Sequence, residues 1–305
     1  MSPTGSAPLR PDASPVRGVL MVLLAALCWG TTGTAQSFGS GATSAYWVGA
    51  LRLLASGAFF AVLLTAQRGA SGLARLPPLP AALAGLGMAA YNLAFFAGVK
   101  ATGVAVGTAV ALGSAPIWAG LLQALGGQRP PARWWIGTAL AVAGGIVMVG
   151  GSGPGAQPLS ATGIALCLLA GLSYAGYALV NARLVAVAAP GPVTAAAFGV
   201  ATLIALPAAF WIGGPPQLTP RDGLVILWLG IIATGVAYLL FSHALRHIAA
   251  ATGVTLALAE PVTAFVLAVL VVGERPGWTA AGGGLLVLGG LLVVAFAELR
   301  DIEGG

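Results

Sequence analysis

Ten stretches of about twenty residues, nearly free of charge, follow one another along this chain with only short polar breaks between them. At 1.5 Å per residue in a helix, each is about as long as the hydrocarbon core of a bilayer is thick, roughly 30 Å. Clusters of Gly, Pro and charge bound them at residues 18–38, 44–66, 79–99, 103–125, 132–150, 160–182, 192–212, 222–243, 250–272 and 277–297. Long continuous apolar runs exclude a β-barrel, which would show short alternating strands. Only 7% of the residues are charged and the mean hydropathy is +0.97. A soluble domain carries roughly 25% charged residues, so a soluble fold of this length could not cover its surface. The pattern predicts an all-α membrane protein with ten transmembrane helices.

The charges orient those helices. The net charge of +6 need not mean nucleic acid, because Lys and Arg collect in cytoplasmic loops. With the N-terminus inside, the inner segments hold Arg10, Arg17, Arg68, Arg75, Arg129, Arg133, Arg183, Arg246 and Arg300. The outer segments hold Lys100, Arg221 and Arg275, so nine basic residues stand against three, with Arg52 left inside the second span. Both termini are expected in the cytoplasm of a bacterial-type inner membrane. Residues 1–17, rich in Pro, Ser and Ala, read as a disordered cytoplasmic tail. Arg17 before an apolar run imitates a signal peptide; with so many spans following, it reads as a retained first helix. Cys28 and Cys167 lie inside apolar runs and read as packing residues.

The chain also resembles itself. LLAAL (23–27) matches LLAGL (168–172) at an offset of 145, which sets Trp29 opposite Tyr174. APIWAGLLQALGGQRP (115–130) matches EPVTAFVLAVLVVGERP (260–276) with one residue inserted, and Lys100 stands opposite Arg246. Each half holds five helices, an odd number, so the second half enters the membrane in the opposite sense. That is an inverted repeat, common among secondary transporters. The expected division is 1–17 tail, 18–150 first repeat, 151–159 outside linker, 160–297 second repeat and 298–305 cytoplasmic tail.

Three stretches carry a further likeness: LCWGTTG (27–33), ALRLLASG (50–57) with Arg52, and ALRHIAAATGVTLALAEPVTAFVLAVLVVGERPGWTAAGGGLLVLGG (244–290). With these the chain resembles EamA-type members of the drug/metabolite transporter superfamily. The resemblance implies an inner-membrane carrier of small metabolites, often an exporter of amino acids, aromatic ones included. The first helix departs from small four-helix multidrug relatives in having no carboxylate, so proton coupling through that position is not open to this chain.

Enzyme templates fail. No G-x-x-x-x-G-K-[ST], H-E-x-x-H or clustered Cys and His occurs, and GSGPGA (151–156) reads as a turn because no strand precedes it. No metal or cofactor is called for. Glu260 is the one acidic residue deep in a span and Arg52 the one comparable base. Charges at mid-bilayer cost at least about 2.5–3.5 kcal/mol, so each needs a partner or water. Glu260 either faces the cavity, holding a cation or a proton, or locks helices together with Arg52 as its buried charge partner. Pro116 and its repeat partner Pro261 each remove a helical donor and act as hinges or as packing kinks. Polar and aromatic residues at helical spacing nominate a substrate cavity of Trp29, Tyr91, Ser114, Trp118, Tyr174, Tyr177, Tyr238, Ser242 and Glu260. The competing reading for such aromatics is an interfacial belt, which suits Trp134, Trp211 and Trp278 near span ends better. Gly-rich segments 137–145 and 281–290 permit close helix packing, within a monomer or in a homodimer.

These observations predict an alternating-access exporter of small, amino acid-like metabolites, with facilitated transport favoured over proton coupling. The alternatives are multidrug or other-metabolite efflux on the same fold and a membrane-embedded lipid-modifying enzyme. The last would need an acidic, His or Cys cluster near one interface.

Overall fold

The structure is a computed structural model that describes residues 14–67, 69–150, 160–273 and 277–303. The tail expected before residue 14, and the linker with its GSGPGA turn, lie outside the described residues. Ten helices are long and apolar enough to cross a membrane. They are α1 (Pro15–Ser37), α2 (Ala45–Ala66), α3 (Pro78–Thr102), α4 (Val104–Leu125), α5 (Ala132–Gly150), α6 (Ala161–Val187), α7 (Pro190–Ile212), α8 (Pro220–Ala244), α9 (Ala250–Val272) and α10 (Trp278–Glu303).

Local chemistry sets the ends. Ser14, Ser44 and Ser160 accept hydrogen bonds from backbone N–H groups in the first turns of α1, α2 and α6. With Pro15 at its first position, α1 begins before the expected residue 18. Thr219 and Asp222 form a reciprocal capping box at the start of α8. Gly127 (φ 88°) and Gly273 (φ 81°), at equivalent places after α4 and α9, take the left-handed conformation that stops a helix. At the other end, α10 runs on through Glu303 instead of stopping at 297. Glu298 is tied to α9 there, which keeps this last stretch on the bundle.

The packing follows the repeat. α1 lies against α8 and α9, as α6 lies against α3 and α4; α2 meets α7 and α8, as α7 meets α2 and α3. α5 packs along α10. Adding five to each helix number maps this set onto itself. The correspondence extends to single residues. A Cβ on Gly85 would stand 2.9 Å from Ala197 O, and one on Gly230 would stand 2.9 Å from Arg52 O. Both pairs are related by the 145-residue offset. Gly18 abuts Ile248 and His247, and Gly163 abuts Thr102 and Ala101, again in register. Between α5 and α10, Gly137, Gly144, Gly283 and Gly290 bring backbone onto backbone. Lipid tails are as apolar as leucine, so close van der Waals packing at such small residues, and not apolar burial alone, drives helix association in a bilayer.

The starts of α1 and α9 and the ends of α8 and α10 share one face of the bundle, here the terminal face. Ser14 N donates to His247 Nδ1 (3.1 Å) and Ala249 N to Glu298 Oε1 (2.8 Å) across it. On the opposite face, Asp222 accepts from Ser40 N (2.8 Å) and Ser40 Oγ (2.7 Å), and Trp47 Nε1 donates to Gly214 O (2.7 Å).

Candidate functional site

The middle of the bundle is built from aromatic rings in mutual contact. Trp29 on α1 meets Tyr238 edge-on (5.0 Å between centroids) and Phe241 at 5.7 Å. Tyr174 on α6 lies between Tyr91 of α3 (5.4 Å) and Phe241 of α8 (6.1 Å). Phe198 of α7 closes on Tyr238 at 4.8 Å. Such pairs hold rigid, largely apolar walls.

Two opposite charges stand beside these rings. Arg52 and Glu260 are both half-buried. The guanidinium lies over the ring of Phe96, 5.9 Å from its centroid. Neither charged group makes a hydrogen bond or an ion pair with another described residue. Each lies within electrostatic reach of the other, and Tyr91 lies within reach of both. The expected pairing of Arg52 with Glu260 is therefore not made as a contact in this conformation. Their helices bring them to one region at different depths, and neither side chain is turned fully onto the other.

Several buried N–H groups of the bundle have no acceptor. Trp29 Nε1, Asn92 Nδ2, Trp118 Nε1 and Arg52 Nε are all of this kind. Asn92 faces α2 at Gly49, one turn from Arg52, because a Cβ at Gly49 would run into Asn92 and Phe96. A buried polar group without a partner costs about 1–3 kcal/mol. Arg52 Nε and Asn92 Nδ2, close together, are open to an acceptor atom.

Pro261 shapes the neighbouring backbone. Having no N–H, it cannot bond the carbonyl of Ala257, which instead accepts from Glu260 N at 2.9 Å in a tighter turn. α9 is interrupted there, with Ala250–Leu256 on one side and Ala259–Leu267 on the other, followed by a π-helical end, Ala268–Val272. Gly30 admits this segment against α1, since its Cβ would stand 3.0 Å from Glu260 O. Pro116, in contrast, is buried within an unbroken α4. The two prolines, expected to be mechanically equivalent, differ in this conformation.

The bundle is tighter on the terminal face. Residues 250–259 of α9 are all buried, and they pack on α1, α4, α6 and α10. Gln123 Oε1 accepts from Ala251 N (3.1 Å), and Thr138 Oγ1 meets Thr255 Oγ1 (3.4 Å). Beyond Pro261, α9 packs chiefly on α1 and α10 and is at least partly exposed. The repeat-equivalent stretch of α4, residues 106–114, buries only Gly107 and Ala111. An apolar crevice of about 40 Å³, lined by Leu112, Val142, Leu258 and Pro261, separates α4, α5 and α9.

The nominated cavity residues thus divide. Tyr91, Ser114, Trp118 and Glu260 keep partial exposure, while Trp29, Tyr174 and Tyr238 are 6% exposed and form the wall behind them. Tyr177 and Ser242 are wholly buried in this conformation. Ser242 Oγ accepts from Asn181 Nδ2 (2.9 Å) and Thr194 Oγ1 (2.8 Å), so it joins α6, α7 and α8. Sequence reasoning missed Phe241, Phe198, Gln123 and Glu298. The phenylalanines are silent in a search for polar stripes, and Glu298 falls after the last apolar residue of its span.

A ten-helix bundle of two interlocked five-helix repeats, with unpaired opposite charges at its centre, defines a membrane transporter. The chain belongs to the EamA-like transporter family, which matches residues 16–150 and again 161–296. It is therefore a multi-pass transporter of small metabolites and not an enzyme. It is 38% identical to "Uncharacterized transporter YwfM" of Bacillus subtilis (strain 168) over 92% of this chain and 95% of that one. To an "Uncharacterized transporter" of Archaeoglobus fulgidus it is 27% identical over 68% and 74%. A crystal structure superposes with a TM-score of 0.82 over 94% of this chain and 99% of the other; at 22% identity that shows a shared fold.

Proposed function

We propose that this protein exports small metabolites, foremost amino acids and aromatic ones among them, through a bacterial-type inner membrane by alternating access. The reading is carried by one observation: a packed aromatic centre with two unpaired, half-buried charges beside it is closed by α9 on the terminal face and looser on the opposite face. Rigid rings with a few polar groups suit small, partly apolar ligands. The excess of basic residues supports reading the terminal face as cytoplasmic, which makes the looser face the outer one. Repeat symmetry supplies the other state, in which α4 takes the sealing role of α9. The interruption at Pro261 and the unbroken helix at Pro116 are the two forms that this exchange requires. With no carboxylate in α1, transport is facilitated and runs down the substrate gradient.

Purified protein in liposomes loaded with labelled amino acids tests this. Saturable efflux of phenylalanine, unchanged by an imposed pH gradient, is expected. No flux of any amino acid tested, with efflux of a drug-like cation instead, would reject the substrate. Acceleration by the gradient would reject facilitated transport.

A further inference from the structure

We infer that the site holds its ligand by two opposite poles: a donor pole at Arg52 and Asn92 for a carboxylate, and an acceptor pole at Glu260 for an ammonium group. This rests on the export reading above and names the charge class that the site selects, an α-zwitterion over either singly charged relative.

Three observations lead there. First, Glu260 and the outer nitrogens of Arg52 are not sealed in the protein, yet neither group has a hydrogen bond or an ion pair. A full charge at mid-bilayer is expensive without a partner. An internal ion pair would have met both needs, and the structure keeps the two apart. Second, Arg52 Nε and the Asn92 amide nitrogen, on facing helices one turn apart, are both buried donors without an acceptor. Donors without acceptors fit a ligand oxyanion, and a planar guanidinium takes a carboxylate through two parallel bonds. Third, the spacing suits a short ligand. By helical rise Glu260 is about 18 Å, and Arg52 about 12 Å, from the opposite-face ends of their helices, an offset in depth of about 6 Å. One carbon between ammonium and carboxylate, with a hydrogen bond of about 2.8 Å at each end, spans about 8 Å. The carboxylate then points to the opposite face and the ammonium to the terminal face. Tyr91, within electrostatic reach of both charges, borders the ligand between them.

The test compares three ligands that share a phenyl group: L-phenylalanine, 2-phenylethylamine, which lacks the carboxylate, and 3-phenylpropionate, which lacks the amine. Each is assayed as a competitor of labelled phenylalanine flux in liposomes and for raising the melting temperature of the detergent-solubilised protein. Both poles together require phenylalanine to compete at least about tenfold better than either analogue, since a charge-assisted bond is worth about that factor or more. Arg52→Gln should weaken phenylalanine about tenfold and bring 2-phenylethylamine level with it. Glu260→Gln should do the same for 3-phenylpropionate. Either analogue matching phenylalanine on the unaltered protein overturns the two-pole site while leaving the export reading intact. Folded variants that weaken all three ligands alike would show that the charges only hold structure, and would also overturn it. Phenylalanine that neither moves nor stabilises the protein overturns the site, and the export reading falls with it only if no other amino acid moves.

Discussion

Glu298→Ala should open the terminal face. Glu298 reaches from α10 to the start of α9, where Oε1 accepts from Ala249 N at 2.8 Å and Oε2 from Thr252 Oγ1 at 2.5 Å. The cap position of α9 is Ala249, which has no side chain able to cap the helix. The carboxylate therefore supplies from a neighbouring helix the acceptor for the N-cap N–H that the N3 Glu of a capping box would supply locally. A hydrogen bond to a charged group contributes about 1.5–3 kcal/mol, and an anion at a helix N-terminus a few tenths more. Glu298 is half-buried, so the lower end applies, and losing both bonds costs about 2–3 kcal/mol. In alternating access that loss falls on the state sealed at the terminal face. The balance should move toward the other state by about 30-fold or more, because 1.4 kcal/mol is a factor of ten. Leu256, buried one turn before Glu260, reports on this when changed to Cys in a chain whose Cys28 and Cys167 are replaced by Ala. A membrane-impermeant maleimide applied from the terminal face should label it at least about tenfold faster once Glu298→Ala is added. Glu298→Gln, which keeps one acceptor oxygen, should fall between. Labelling within twofold of the parent, in protein that still melts cooperatively, would refute the latch and the energetics behind it.

The repeat predicts that Gly85→Ala and Gly230→Ala lower the melting temperature in detergent by similar amounts. Each places a Cβ 2.9 Å from a backbone oxygen of the facing helix, an overpacking cost of about 1–3 kcal/mol. Pro261→Ala supplies an N–H that can take Ala257 O over from Glu260 N in α-helical register, so α9 should straighten, and flux should fall without loss of thermal stability. Cross-linking Gln123→Cys to Ala251→Cys with a short thiol reagent should stop flux until reduction releases it; full flux in cross-linked protein would rule out opening at this seam. His247 accepts from Ser14 N, and burial, followed by the charges of Arg17 and His243, lowers its pKa below the ordinary 6.5. The unfolded chain then binds the proton more readily, so this contribution is full above about 6.5 and is lost as pH falls through the lowered folded value. Melting curves should show stability dropping from pH 7 to pH 5, and less of that drop in His247→Gln.

Much of the framework could be read in advance because a bilayer leaves few options. Segment length counted the helices, and the 145-residue offset is the same one that relates Gly85 with Ala197 to Gly230 with Arg52 in space. Side-chain facing was harder. Thr234, Tyr238 and Ser242 form a stripe at α-helical spacing, yet α8 is π-helical over Ile231–Val236. The wider turn rotates Tyr238 and Ser242 together relative to Thr234, and Ser242 is taken up in a hydrogen-bonded seam with Asn181 and Thr194. The depths of Arg52 and Glu260 were legible from rise per residue. Their failure to touch depends on helix rotation, which apolar periodicity fixes poorly where nearly every residue is apolar. Glu298 was invisible for another reason: nothing local marks a carboxylate as the cap of a helix 49 residues earlier in the chain.

The two-fold relation also says which contacts can change. α5 with α10 and α2 with α7 are pairs that map onto themselves when the halves are exchanged, so both access states can keep them. The first of these is the glycine seam, where backbones are too close to slide freely. α1 with α9 and α6 with α4 map onto each other, so a state open at one face and its mirror state must trade them. The departures from symmetry gather on this second set. Glu260 stands opposite Ala115, and the interrupted helix at Pro261 opposite an unbroken one at Pro116. The buried stretch of residues 250–259 faces its half-exposed counterpart in α4. A fully symmetric chain would have no preferred side. Here Glu260 and the break at Pro261 lie together on α9, so the ligand's ammonium and the moving backbone meet at the same turn, and occupancy of Glu260 can bias which of the two helices seals.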